Sequence, residues 1–169
     1  LTKEKGWERV MSTMNNIAQL LPKTKFQLDI VTKDHFAYSK EYDNLHICKL
    51  DFMPFEQFCK QIVQYDLFLD LRDIDFENTR CLPIKLFYYM ACGRPSIYSN
   101  LTAIRKGVAQ IDDCAFLVDD IEQATQAMLQ YISNPTLYKR HSQRALELSQ
   151  QQYNWQSIKI RLTQLIDEL

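Results

Sequence analysis

Two apolar periods alternate along the 169 residues of this chain, and that alternation constrains the fold more than any other feature. Trp7, Val10, Met11, Met14, Ile17, Ala18 and Leu21 recur at helical spacing, so the pattern predicts an amphipathic helix closed by Pro22. Phe26 to Thr32 then reads as a short strand, with β-branched residues at its end, and Leu45 to Leu50 as a second, with a polar loop between them. Pro54 is placed to open a helix carrying Phe55, Phe58, Cys59, Ile62 and Val63, and Leu67 to Leu71 follows as a third strand. Pro83 opens another helix, Gly93 stops it and Pro95 forbids its continuation. Ser96 to Ser99 and Ala115 to Val118 complete the strands, with a brief helical turn over Leu101 to Val108 between them. Three helices finish the chain: Ile121 to Ser133, Pro135 to about Gln151, and Trp155 to Leu169. The last is expected to bury Trp155, Ile158, Leu162, Leu165, Ile166 and Leu169. Strands that alternate with helices through short connections imply an α/β fold: a Rossmann-like parallel sheet with helices on both faces.

Composition excludes several functions. Lys+Arg and Asp+Glu nearly balance at 20 and 21, so the basic surplus of a nucleic-acid domain is missing and no nucleic-acid partner is expected. No apolar run reaches the roughly 18 residues of a membrane span, and Leu1-Thr2-Lys3-Glu4 does not read as a secretory leader. Five widely spaced cysteines without a C-x-x-C read as separate thiols, which suits a reducing, cytoplasmic setting. The three histidines lie far apart, and neither Cys/His metal spacing nor a Walker, G-x-G-x-x-G or G-x-S-x-G motif is present. No metal or cofactor is therefore expected. With three glycines in all, a Gly-rich phosphate cradle is excluded, and any phosphate must be held by side chains and helix ends.

In an open parallel sheet, ligands bind beyond the carboxyl ends of the strands. Two segments of that rim carry suitable chemistry. Lys5-Gly6 precedes the first helix, where unpaired N–H groups, a partial positive charge and a lysine suit an anion, although the same pair also makes an ordinary turn. The stretch from Arg72 to Lys85 holds Arg80 and Lys85 on either side of a Pro-started helix, with Asp73, Asp75 and Glu77 nearby. Taken alone it reads first as a solvated charged loop, and otherwise as an anion site whose helix N-terminus and cations face a phosphate. Of Phe87, Tyr88 and Tyr89, helical spacing lets Phe87 face inward while Tyr88 or Tyr89 reaches the rim.

The run from Pro83 to Ile97, with Lys85, Met90-Ala91, Gly93 and Pro95, resembles the signature of group 1 (family four) glycosyltransferases. Lys5-Gly6-Trp7, Leu50 to Glu56, Asp66 to Leu69, Asn134 to Leu137 and Tyr153-Asn154-Trp155 are similar to further pieces of that family, in the same order. The resemblance implies that residues 1–169 are one domain: the C-terminal, nucleotide-sugar-binding half of a GT-B enzyme, with the acceptor domain and the first strand of the Rossmann unit lying before Leu1. It implies a metal-independent, retaining, hexosyltransferase-like reaction from a nucleotide-diphospho-sugar to a glycan or lipid-linked acceptor, as in polysaccharide biosynthesis. The isolated domain would be inactive. Lys5 would be the catalytic cation on the leaving diphosphate. Gly6, Arg80, Pro83, Lys85 and Tyr88 would bind the donor with it, and Thr32 and Met53 would lie by the base. The full-length protein would be cytoplasmic, or peripheral at the inner face of a membrane, any membrane contact coming from the missing half. The sequence departs from the family at its two glutamates, which fall here at Arg80 and Tyr88. That departure supports an alternative, a degenerate module kept for nucleotide binding or scaffolding.

Overall fold

A computed structural model describes residues 6–32 and 42–167. Five strands, β1 (Phe26–Val31), β2 (Leu45–Leu50), β3 (Phe68–Asp70), β4 (Ser96–Ser99) and β5 (Ala115–Val118), alternate with helices α1 (Trp7–Leu20), α2 (Phe55–Ile62), α3 (Lys85–Ala91) and α4 (Thr102–Gly107). Helices α5 (Ile121–Ser133), α6 (Pro135–Gln151) and α7 (Trp155–Asp167) follow. The local signals act as expected. Asp120 caps α5 by accepting from the Gln123 N–H at 2.7 Å, and Asn134 caps α6 from the Leu137 N–H at 3.0 Å, with Pro135 in the first turn. Gly93 takes the left-handed conformation, φ 62°, just past α3.

Every strand pairing is parallel, but the strands form two groups, β1 with β2 and β3-β4-β5, with no ladder between them among the described residues. The groups share one core. Met14 and Ile17 of α1 pack in a single cluster with Leu45 and Ile47 of β2 and with Leu71, Ile97 and Val118 at and beside the other three strands. Tyr65, just after α2, spans the two groups: its hydroxyl donates to Asp29 of β1 at 2.9 Å and its ring meets Phe68 of β3 at 6.1 Å.

The central strand β4 is buried along its whole length because both faces of the sheet are covered. Along β4 and β5 the residues alternate between two clusters. Ile97, Phe116 and Val118 join the one under α1 and α5, whereas Tyr98, Ala115 and Leu117 join a second one built by α3, α4 and α6.

Helix α7 departs from expectation. Trp155 is 84% exposed, and Leu162 and Ile166 are also exposed. Of the expected stripe, only Ile158 is half-buried among the described side chains. Leu169 and the side chain of Leu165 lie outside what the structure describes. The chain from Arg72 to Cys81 is a loop, as read, with one 3-10 turn over Asn78–Arg80.

Candidate functional site

The carboxyl ends of the strands define one rim. Gly6 starts α1 there with φ 72°, and a Cβ on it would stand 1.6 Å from the Leu71 carbonyl oxygen. The first turn of α1 therefore lies directly on the backbone leaving β3, an approach only glycine permits. Arg72, the next residue, turns back on Asp70 in a fork, Nε to Oδ1 at 2.8 Å and Nη2 to Oδ2 at 3.2 Å. Both side chains are largely buried. Burial works against the Arg72 charge, but the hydrogen bonds and charge of Asp70, with a smaller part from Cys81, outweigh it and raise its pKa. Ser99, at the end of β4, donates its hydroxyl to the Arg72 carbonyl at 2.5 Å. Arg9, in the first turn of α1, donates to the Asp119 carbonyl at 2.8 Å, just past β5. The rim thus gathers α1 and the ends of β3, β4 and β5 around a fixed guanidinium.

The loop after β3 is built rather than loose. Asp75 accepts from both the backbone N–H of Asn78 at 2.7 Å and its side-chain amide at 2.9 Å, while Thr79 donates to the Asp75 carbonyl at 2.7 Å. Its tip carries Phe76, 69% exposed, with the Arg80 guanidinium stacked 3.6 Å above the ring. Such a stack holds the cation at the surface without neutralising it.

The residues singled out from sequence fall into separate places. Gly6 is at the centre of the rim; Lys5 lies outside the described residues. Pro83 is buried and precedes the helix instead of opening it: α3 begins at Lys85, and the Pro83 carbonyl accepts from the Leu86 N–H at 3.0 Å. Lys85 is exposed at the first position of α3. Thr32 is buried just past β1, its N–H donating to the Leu50 carbonyl at 3.0 Å, and Met53 is half-buried past β2. Tyr88 packs its ring against Phe55 at 5.4 Å and Phe58 at 6.1 Å. Tyr89 does not reach the rim: it stacks flat on Phe68 at 4.0 Å, and burial first, then Asp70, raises its pKa.

Arg72 is a rim residue that the sequence presents only as one charge among several in its loop. Its position immediately after an apolar strand was the available signal. Elsewhere, His141 is buried and shares a 2.8 Å hydrogen bond with the Tyr131 hydroxyl, His46 is exposed on β2, and His35 lies outside the described residues. A concavity of about 480 Å³ lies at the opposite, amino ends of β1 and β2, lined by Ala18, Pro22, Lys23, Lys25 and Asn44. Among the described residues no group of three or more His, Cys, Asp or Glu side chains is arranged to hold a metal ion, and no helix is long and apolar enough to cross a membrane.

Parallel strands sandwiched between helices, with α1 starting on the rim, define the Rossmann-like architecture of one half of a GT-B glycosyltransferase. Solved structures share it. The C-terminal domain of the group 1 glycosyl transferase LpcC from Francisella tularensis superimposes with a TM-score of 0.67 at 12% identity, over 92% of this chain and 83% of that one. Sucrose-phosphate synthase from Thermosynechococcus elongatus gives 0.69 at 15% identity, over 99% of this chain and 43% of the other. Anabaena HepE in complex with UDP gives 0.66 at 13% identity, over 100% and 47%. The chain thus spans less than half of the two longer structures. No family model and no curated protein matches it.

Proposed function

We propose that this chain is the donor half of a glycosyltransferase, holding the diphosphate of a nucleotide sugar on the rim. The observation that carries the reading is the seating of the first turn of α1 on the Leu71 carbonyl beside the forked Arg72. Arg80 and Lys85 add charge from the next loop, and Lys5 adds it in front of α1. The UDP bound by HepE, which shares the fold, supports the same ligand class. As the glycosidic bond breaks, negative charge grows on the leaving diphosphate. Preorganised cations then stabilise the transition state more than the ground state, without a metal. The acceptor, a glycan or a lipid-linked one, belongs to a facing domain in this reading. The chain alone would bind donor but not transfer, and retention of configuration and a cytoplasmic setting belong to the same proposal.

A strand entering from before α1 would complete the sheet. Among the described residues β1 and β3 each have one edge without a ladder, residues of both groups pack in one core, and Gly6 lies against the backbone just past β3.

A second reading is favoured by one observation. Tyr88, at a position of a family glutamate, is occupied by two phenylalanine rings, which suits a module that binds nucleotide without transferring sugar.

Titration with UDP, GDP and ADP in the presence of a chelator tests the first reading. Saturable binding of one nucleotide is expected, and binding of none by a polypeptide extended upstream of Leu1 would overturn it. Transfer by the full-length protein separates the two readings, and transfer that survives Lys5→Ala unchanged would place no leaving group on Lys5.

A further inference from the structure

A surface helix of a globular domain normally turns its apolar face to the core. Helix α7 does not. Trp155, Ile158, Leu162 and Ile166 follow one another at three and four residues and share one face. Trp155, Leu162 and Ile166 are 84%, 53% and 69% exposed, while Ile158 is half-buried. Polar groups attach the helix instead. The Asn154 side-chain carbonyl accepts from the Ser157 N–H at 2.9 Å, the Ser157 hydroxyl donates to the Gln151 carbonyl at 2.7 Å, and Arg161 donates to the Gln152 carbonyl at 2.6 Å. Tyr153, just before α7, accepts from the Ala109 N–H at 2.9 Å and meets the Phe87 ring at 5.2 Å. The start of α7 is therefore held to the domain by hydrogen bonds while the stripe faces outward.

The charges beside the stripe select what it can meet. Lys159 is four beyond Trp155 and Arg161 is three beyond Ile158, so two exposed cations border the stripe on opposite sides. Asp167, the one acidic residue of α7, stands at its last position and well round the helix from the stripe. Against an anionic lipid surface, this arrangement is complementary. The indole of Trp155 suits the headgroup level, and the stems of Lys159 and Arg161 cover apolar surface while their charges reach lipid phosphates. A two-fold pairing of the same face with a second copy would instead bring like cations together. At roughly 20 Å, α7 is too short to cross a bilayer and can only lie along its surface.

We propose that α7 is a membrane-docking helix, its apolar stripe seated in the headgroup–acyl boundary of an anionic phospholipid surface with Lys159 and Arg161 on the lipid phosphates. The membrane contact then belongs to this chain itself. It needs no nucleotide, so it stands apart from the donor-site reading.

The test is flotation of the whole chain with vesicles of phosphatidylcholine alone and of phosphatidylcholine with an equal part of phosphatidylglycerol. Binding is expected to the mixed vesicles, far weaker to the neutral ones, and falling as salt rises. Lys159→Gln and Arg161→Gln should each weaken it roughly fivefold, and Trp155→Ala by on the order of tenfold. Brominated lipid gives a readout on the unaltered chain: it should quench the wild-type tryptophan emission but not that of Trp155→Phe, in which only Trp7 remains. No binding to the mixed vesicles, or binding that Trp155→Ala and Lys159→Gln keep in full, would overturn the proposal. So would a dimer that Trp155→Ala dissolves, or a Trp155 already shielded from iodide without lipid in a polypeptide extended upstream of Leu1, because a protein surface would then cover the stripe.

Discussion

Gly6 has no room for a side chain and sits in a conformation that other residues resist. Gly6→Ala should therefore destabilise the fold by roughly 2 kcal/mol or more, because strain at positive φ adds to the collision with the Leu71 carbonyl. Chemical denaturation would measure it, and a change below half that size would show that α1 can lift away from β3. Arg72 makes a different prediction. Arg72→Ala leaves the Asp70 carboxylate largely buried without its fork, at a cost of about 2 kcal/mol, and in the proposed function weakens nucleotide diphosphate binding roughly tenfold. Arg72→Lys keeps the charge but not the two-pronged geometry, so partial recovery of binding without full recovery of stability would separate the two roles. Gly6 was legible in the sequence because a glycine before an amphipathic helix is a local signal. Arg72 was not, because its importance comes from Asp70 and Ser99, whose approach depends on where β3 and β4 end.

At the scale of elements, α5, α6 and β5 are joined by one buried polar contact. The Tyr131 hydroxyl meets His141 Nδ1 at 2.8 Å, and the Phe116 ring tilts against both. Burial first, and then Arg140, lowers the His141 pKa, while Asp113 opposes them. The sign follows from linkage. The unfolded chain takes up the proton at the ordinary histidine value, about 6.5, while folded His141 resists it, so its contribution is fully present above that value and is lost as pH falls below it. Stability should drop by up to about 1.4 kcal/mol per pH unit below pH 6.5 through this group. Denaturation midpoints at pH 7, 6 and 5 would check this, and a His141→Asn variant with an unchanged slope would exclude the residue as the cause. The elements themselves were readable, since periodicity and caps are local: Asn134-Pro135 and Asp120 start their helices as written. The stripe on α7 was equally readable, but burial is a property of two surfaces, and the stripe predicts only one of them.

For the molecule as a whole, the two groups of strands are the feature with the most consequence. If a parallel strand enters between β1 and β3, amides of Phe26–Val31 and Phe68–Asp70 that point into that space are paired in a polypeptide extended upstream. They should then exchange hydrogen slowly, like those bonded to β2 and β4, while in the present chain they exchange at edge-strand rates. Equal, fast exchange in both polypeptides would place the extra strand elsewhere.

The sequence by itself determined the strands, the helices, their parallel arrangement and the rim on which a ligand would sit, because these follow from periods, caps and short right-handed connections within a few residues. Only the tertiary structure decided which side chains meet there. It set Arg72 on Asp70 beside Gly6, turned Tyr88 into an aromatic contact and Tyr89 onto Phe68, and left the stripe of α7 in solvent. Those outcomes depend on residues far apart in the chain approaching within a few ångströms, and no local pattern encodes that distance.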